Sequence, residues 1–172
     1  MALATCRECR GQVSTEARFC PHCGAPRPAL AEYTGSGFEW RSARTVMGYP
    51  LVHVAIGRDA RCKLRVAKGI IAIGQFGVGL ITVAQFGVGL LFGFGQFMLG
   101  LMAVAQIAVG PLLAVGQCAA GYAAIGQVAL GYYGLGQIGW AKFFWGPKHR
   151  HPEAVQFFTS WWEAVKAWLA GW

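Results

Sequence analysis

From residue 69 to residue 141 the chain has no Asp, Glu, Lys, Arg or His. That is 73 consecutive residues without a charged side chain or an imidazole, and 17 of them are glycine. The absence removes the side chains from which general acids and bases are drawn, and the one thiol in the block, Cys118, has no base beside it in sequence. The Gly-x-Gly units there lack the lysine or downstream acid of a phosphate-binding or dinucleotide-binding loop. An enzyme is therefore the least supported class. Acidic residues are scarce throughout, seven against 15 Lys and Arg, for a formal net charge of +8. Six cysteines in 172 residues are too few for a disulfide-dense secreted scaffold, and a hydrophobic fraction of 55% excludes a disordered chain. The start also lacks the apolar run of a secretory signal, because Met1 to Thr5 leads directly into Cys6-Arg7-Glu8-Cys9.

What charge there is lies at the two ends, and the first end opens with a metal-ligand pattern. Cys6-x2-Cys9 is followed after ten residues by Cys20-Pro21-His22-Cys23-Gly24. Two such pairs present two tight turns whose sulfurs converge on a tetrahedral ion, the geometry Zn²⁺ prefers, and Gly24 supplies the positive φ that such a turn needs. Residues 1–27 are read as a zinc ribbon with Cys6, Cys9, Cys20 and Cys23 as ligands of a structural Zn²⁺. Four cysteines leave no open coordination position, so the metal supplies folding energy and no catalysis. His22 is then a solvated knuckle residue. Glu8 and Glu16 dilute the basic patch formed by Arg7, Arg10, Arg18 and Arg27, which argues against nucleic acid as a partner. Reduced thiolates belong in a reducing compartment, which puts this end in the cytoplasm.

Residues 28–37 read as a Pro- and Gly-containing linker. Residues 38–68 follow as a β cap segment. Phe38-Glu39-Trp40-Arg41-Ser42 alternates apolar with polar, Leu51 to Ile56 is rich in β-branched residues, and Gly48-Tyr49-Pro50 marks a turn between them. The segment closes on Arg61, Lys63, Arg65 and Lys68, a basic flank suited to anionic lipid headgroups.

The uncharged block, residues 69–141, is a repeat. Glutamine recurs at Gln75, Gln85, Gln96, Gln106, Gln117, Gln127 and Gln137, at spacings of 10, 11, 10, 11, 10 and 10. After each glutamine large and small residues alternate, as in Phe76-Gly77-Val78-Gly79-Leu80, with Met98 the one bulky residue in the first small slot. Alternation of period two is a strand signal, and a fixed short period is the mark of a solenoid. Taken in pairs the spacings become 21 or 20. This predicts a parallel β-solenoid of about 21 residues per coil, with two glutamine ladders and a height of roughly 17 Å.

The competing expectation is multi-span transmembrane α-helices. Basic residues flank the block on both sides, and the positive-inside tendency then requires an even number of spans. Four spans leave no residues for loops, and two leave some thirty apolar residues unassigned. A mostly β architecture is therefore preferred. A solenoid with so uncharged a surface needs a cover, either other copies of itself or lipid. Lipid in turn demands that backbone groups be paired everywhere but at capped ends.

Residues 142–172 form a basic turn, with Lys142, Lys148 and Arg150, and an expected amphipathic helix from Pro152 to Trp172. Its apolar stripe runs through Phe157, Phe158, Trp161, Val165, Trp168, Leu169 and Trp172. Trp161, Trp162, Trp168 and Trp172 beside a basic cluster suit a membrane interface, while the same stripe equally suits packing on the repeat.

The order of parts, a zinc ribbon, Gly48-Tyr49-Pro50-Leu51-Val52-His53, Ala67-Lys68-Gly69-Ile70-Ile71-Ala72-Ile73-Gly74 and then decapeptide-like units, resembles uncharacterised bacterial zinc-ribbon membrane proteins with Ala-Ile-Gly-type repeats. The likeness covers roughly residues 45 to 140, and the resemblance implies no activity. The function expected is non-enzymatic: an oligomeric repeat protein in the cytoplasmic membrane with both termini cytoplasmic, whose ribbon docks a cytosolic protein. An oligomeric pore lined by the glutamines, and a soluble zinc-containing module that self-assembles, are the alternatives.

Overall fold

The computed structural model describes residues 2–30 and 35–171, in two compact units: Met1–Phe38 with Gly57–Arg65, and Glu39–Ile56 with Val66–Trp172. In the smaller unit β1 (Leu3–Thr5) and β2 (Gln12–Ser14) form an antiparallel hairpin, with Ala4 opposite Val13. Its core is Cys6, Val13, Cys20 and Ala25. So small a cluster cannot hold a domain together by apolar burial alone.

The remaining elements are β3 (Ser36–Arg41), β4 (Thr45–Val46), β5 (Tyr49–Pro50), β6 (Val52–Arg58), β7 (Val66–Trp145) and α1 (Pro152–Ala170). β4 and β5 pair as an antiparallel hairpin at the turn expected around Gly48. β7 contains the whole repeat. The fold is mostly β, and among the described residues no helix is long and apolar enough to cross a membrane. The expectation of transmembrane helices over residues 69–141 is thereby corrected: frequent glycine disfavours helix, and β-branched residues at alternate positions favour extended chain.

β7 does not run straight. It comes back alongside itself every ten or eleven residues. A methyl group added at Gly95 would run into the Ala84 carbonyl oxygen, at Gly116 into that of Ala105, at Gly126 into that of Gly116, and at Gly136 into that of Gly126. Stacked rings repeat the spacing: Phe76 with Phe86 at 5.6 Å, Phe86 with Phe97 at 6.5 Å, and Tyr122 with Tyr132 at 5.2 Å between centroids. Neighbouring rungs are therefore one repeat apart. The expected coil of about 21 residues, with Gln75, Gln96, Gln117 and Gln137 on one side and Gln85, Gln106 and Gln127 on the other, is corrected by these contacts.

Side-chain size explains the narrow return. The buried positions of β7 are nearly all Ala or Gly, among them Ala84, Ala103, Ala105, Ala108, Ala114, Ala119, Ala124 and Ala129. Large residues point outward: Ile81, Val83, Leu90, Phe94, Leu99, Ile107, Leu130 and Ile138 are all exposed. Small interior side chains let backbones approach closely enough for ten residues to close a turn. The eleventh residue, where present, goes to an outer corner. Leu90 and Leu91 are both exposed, as are Pro111 and Leu112. At these two corners alone the preceding glycine, Gly89 or Gly110, is pressed against the carbonyl oxygen three residues on, of Phe92 or Leu113. Such a bulge leaves the inner register intact and tolerates the missing N–H of Pro111.

Both ends of the array are closed. At the start, β6 pairs in parallel with the first rung, from Val52 opposite Ile71 to Ala55 opposite Gly74. The buried His53 ring accepts the Lys68 N–H at Nδ1, 2.8 Å away. On its other side Nε2 faces Arg41 Nε at 3.3 Å and Glu39 Oε1 at 3.4 Å, and Glu39 Oε1 in turn pairs with Arg41 Nη2 at 2.6 Å. At the other end the Phe144 N–H donates to His151 Nδ1 at 2.9 Å, and the His151 N–H donates to the Phe144 carbonyl at 3.0 Å. α1 begins directly afterwards, with Pro152 in its first turn and no side-chain cap, since the His151 ring is already engaged. Its first half packs on the repeat. Ala154 and Phe158 are buried, and Phe157 lies flat on Tyr133 with ring centroids 4.2 Å apart.

Candidate metal centre

Each Cys-x2-Cys turn is built by the same two backbone bonds. In the first, the Cys6 N–H donates to the Gly11 carbonyl at 2.8 Å and the Arg10 N–H to the Cys6 carbonyl at 3.0 Å. In the second, the Cys20 N–H donates to Ala25 at 2.8 Å and the Gly24 N–H to Cys20 at 2.9 Å. Both turns need a left-handed residue immediately after the second cysteine. Gly24 fills that place with φ of 76°, and Arg10 fills its counterpart with φ of 59°. The role of Gly24 is legible from its type. Arg10 is not, and only its equivalent place after the first pair points to it.

The turns bring Cys6, Cys9, Cys20 and Cys23 together, with all four sulfurs within 4.8 Å of one another. Cys6 Sγ lies 3.7 Å from Cys23 Sγ, and Cys9 Sγ lies 3.6 Å from Cys20 Sγ. No pair is at disulfide distance. A tetrahedral ion with metal–sulfur bonds of about 2.3 Å requires an S···S edge of about 3.8 Å. The four cysteines fit a metal ion on this measure. His22 is exposed, its ring over Gly11, and is not part of the set. Arg7 ties the two turns to the following chain, its Nη1 donating to the Pro26 and Arg27 carbonyls at 2.9 and 3.0 Å.

Crowding four thiols splits their acidities. Backbone N–H groups at Cys9 and Glu8, with help from the Cys23 and Cys9 thiols, lower the Cys6 thiol to about 7. Cys23 also receives a backbone hydrogen bond, at Ala25, that favours its thiolate. Desolvation and the thiols of Cys9, Cys20 and Cys6 outweigh it and push Cys23 up to about 12. A cation at the centre removes the conflict, because it stabilises every thiolate at once.

The other candidate residues fall in distinct places. Gln85, Gln96, Gln106, Gln117, Gln127 and Gln137 are exposed and Gln75 is half-buried. They follow the single column of small residues that stacks rung on rung, so the seven glutamines belong to one column rather than two. Beside it runs a shallow trough with a Gly/Ala floor. One stretch, of about 420 Å³, is lined by Ile73, Val83 and Phe94 opposite Gln75, Gln85 and Gln96. Another, of about 380 Å³, has Leu135 and Trp145 near Gln127 and Gln137. Arg61, Lys63 and Arg65 belong to the smaller unit, in a loop where Asp59 Oδ1 accepts the Arg61 and Lys63 N–H groups. Lys68 is at the first rung. At the other end Lys142 lies over the Tyr132 ring at 5.0 Å and Arg150 over the Trp145 ring at 5.6 Å, and Lys148 is exposed. Trp161, Trp162 and Trp168 are exposed on α1, while Trp172 lies outside the described residues.

No family model, curated protein or solved structure matches the chain.

Proposed function

We propose that the protein is a non-enzymatic, membrane-embedded β-solenoid of about ten residues per rung, joined to a structural zinc ribbon that docks a cytosolic protein. The observation that carries this reading is the inversion of the repeat. Gly and Ala fill its interior while Val, Leu, Ile and Phe cover its outside. In water such a surface would aggregate, since exposed apolar patches beyond a few hundred Å² mark a protein or membrane contact. In lipid it is the expected arrangement, because lateral backbone bonds between rungs satisfy the polar groups and only the ends need caps.

The glutamine column supports self-association within the membrane. From Gln85 to Gln137 it is a strip of exposed amides on an apolar exterior, and an amide facing hydrocarbon without a partner costs several kcal/mol, roughly 2–7. Glutamines of a second copy supply donors and acceptors at the same rung spacing. This favours a homo-oligomer whose contacts include the column. A pore through one subunit finds no room among the packed Ala and Gly, whereas a pathway between subunits would be lined by Gln106 and Gln117. Liposome flux abolished by Gln106→Leu and Gln117→Leu would move the reading to that pore.

The donor set favours zinc. Four thiolates in tetrahedral array suit Zn²⁺ better than harder ions. Elemental analysis of purified protein is expected to give one zinc per chain. Cobalt substitution is expected to give the visible bands of a tetrahedral thiolate site. The membrane reading is tested by detergent phase partitioning and by circular dichroism in micelles. Recovery in the detergent phase with a dominant β spectrum is the expected result. Protein that stays in the aqueous phase without lipid overturns it in favour of a soluble self-assembling module in the cytosol.

A further inference from the structure

We infer that the array crosses the bilayer along its own axis, rung upon rung, so that its two capped ends lie at opposite membrane surfaces. The inference rests on the membrane-embedded solenoid proposed above and adds its orientation and topology. Six steps of one repeat separate Gln75 from Gln137, and at about 4.8 Å between neighbouring strands they span roughly 29 Å. The hydrocarbon core of a bilayer is about 30 Å thick. A coil of 21 residues would give half that height and no such match. The rung period therefore turns a block that could only lie within one leaflet into one that fits the core from side to side.

The residues at the two ends are those of two water–lipid interfaces. At the first rung stands Lys68, and before it come Arg41 on β3 and Arg44 just ahead of β4, with the exposed rings of Trp40 and Tyr49. At the last stand Lys142, Lys148 and Arg150 with the exposed Trp140 and the half-buried Trp145. Between Trp40 and Trp140 the chain has no tryptophan. Aromatic belts with cations beyond them mark both surfaces of a membrane protein, while the span between carries neither charge nor tryptophan. Apart from the buried Met98, large side chains point outward along the span. The basic flanks at the two ends, which alone suggest a common cytoplasmic side, here face two headgroup layers. The first end follows the four cysteines in sequence, and reduced thiolates belong in the cytoplasm, which places that end there.

Two measurements on the full chain, zinc-loaded and reconstituted in vesicles of phosphatidylcholine and phosphatidylglycerol, test this. In polarised infrared spectra of aligned wild-type bilayers, the inter-rung C=O groups lie along the membrane normal, so the amide I band is expected to be polarised along it. In a chain with Cys62→Ser and Cys118→Ser, carrying Arg44→Cys and His149→Cys, an impermeant maleimide reaches one of the two new thiols from outside, whichever way the protein inserted. One adduct per chain before permeabilisation and two after is the expected result. Two adducts before permeabilisation, or amide I polarised in the membrane plane, overturn the spanning orientation while leaving the membrane reading intact. Failure of the wild type to associate with the vesicles overturns both.

Discussion

Met98 occupies the space that Gly93 leaves open. A methyl group at Gly93 would sit 2.8 Å from Met98 Cε, and Met98 is the largest fully buried side chain among the described residues. The same compensation recurs wherever an inner residue exceeds alanine. The Thr82 methyl lies where side chains at Gly77 and Gly87 would be, 2.7 and 2.9 Å away, and the Phe144 ring lies 2.9 Å from a methyl placed at Gly134. Elsewhere alanine meets glycine: a methyl placed at Gly79 would lie 3.2 Å from the Ala72 methyl, and one at Gly121 would lie 3.7 Å from that of Ala114. Larger inner residues thus sit beside glycines, as close packing requires.

The pair can be tested as a thermodynamic cycle. Gly93→Ala overpacks the rung and is expected to cost about 1–3 kcal/mol. Met98→Ala opens a cavity and is expected to cost about 2–5 kcal/mol. The double variant recreates the Ala103 and Ala108 arrangement, so its loss should fall short of the sum by at least about 1 kcal/mol in denaturant titrations. Strict additivity would show that the two residues do not share a space.

His53 predicts a different kind of loss. It is 3% exposed, and its ring holds the Lys68 backbone on one side and Glu39 on the other. His53→Leu conserves bulk but strands a backbone donor at the first rung, for an expected cost of about 1–3 kcal/mol. Hydrogen exchange should speed up first at Lys68 and its neighbours, ahead of the middle of the array. An unchanged exchange rate there would mean that the imidazole is not the cap.

The four-cysteine cluster, the β character of the repeat and its near-constant spacing were legible from residue types alone, because cysteine spacing and period-two alternation each report a local geometry. The rung period was not. Spacings of 10 and 11 sum to 21 whether two repeats make one coil or each makes its own, and the sum carries no information about which strand lies next. What decides it is the position of the extra residue, which sits on an outer corner at Leu90–Leu91 and at Pro111–Leu112 and leaves the inner slots aligned. The direction of the large side chains was equally hidden, since alternation marks two faces without saying which is inside. Met98 was the available clue, a large residue in a small slot whose partner, Gly93, lies five residues earlier.

The two Cys-x2-Cys turns differ in one respect that a substitution pair can expose. Gly24 and Arg10 hold equivalent left-handed positions, and only glycine does so without strain. Nothing lies within 4 Å of a methyl placed at Gly24, so Gly24→Ala meets no clash and should cost about 1 kcal/mol through backbone strain alone. Arg10→Gly should relieve the strain at its own turn, with a gain of up to about 1 kcal/mol. Thermal unfolding of the zinc-loaded protein checks both signs, and a loss on Arg10→Gly would show that the arginine side chain matters more than its φ.

Acid should release the metal from the ribbon before it affects the repeat. Binding requires all four sulfurs as thiolates, so every thiol still protonated in the metal-free protein must give up its proton, and affinity falls as pH falls. Cys6, lowered to about 7, offers a thiolate near neutrality, whereas Cys23, raised to about 12, keeps its proton until the metal displaces it. Competition with a chromophoric chelator should therefore show zinc affinity dropping steadily from pH 8 to pH 6, more steeply below the Cys6 value, where one further proton must be displaced. Each displaced proton contributes about tenfold per pH unit. The array has no charged or imidazole side chain between Lys68 and Lys142, so its β spectrum should not change over the same range. A pH-independent affinity would mean that the sulfurs are not the ligands.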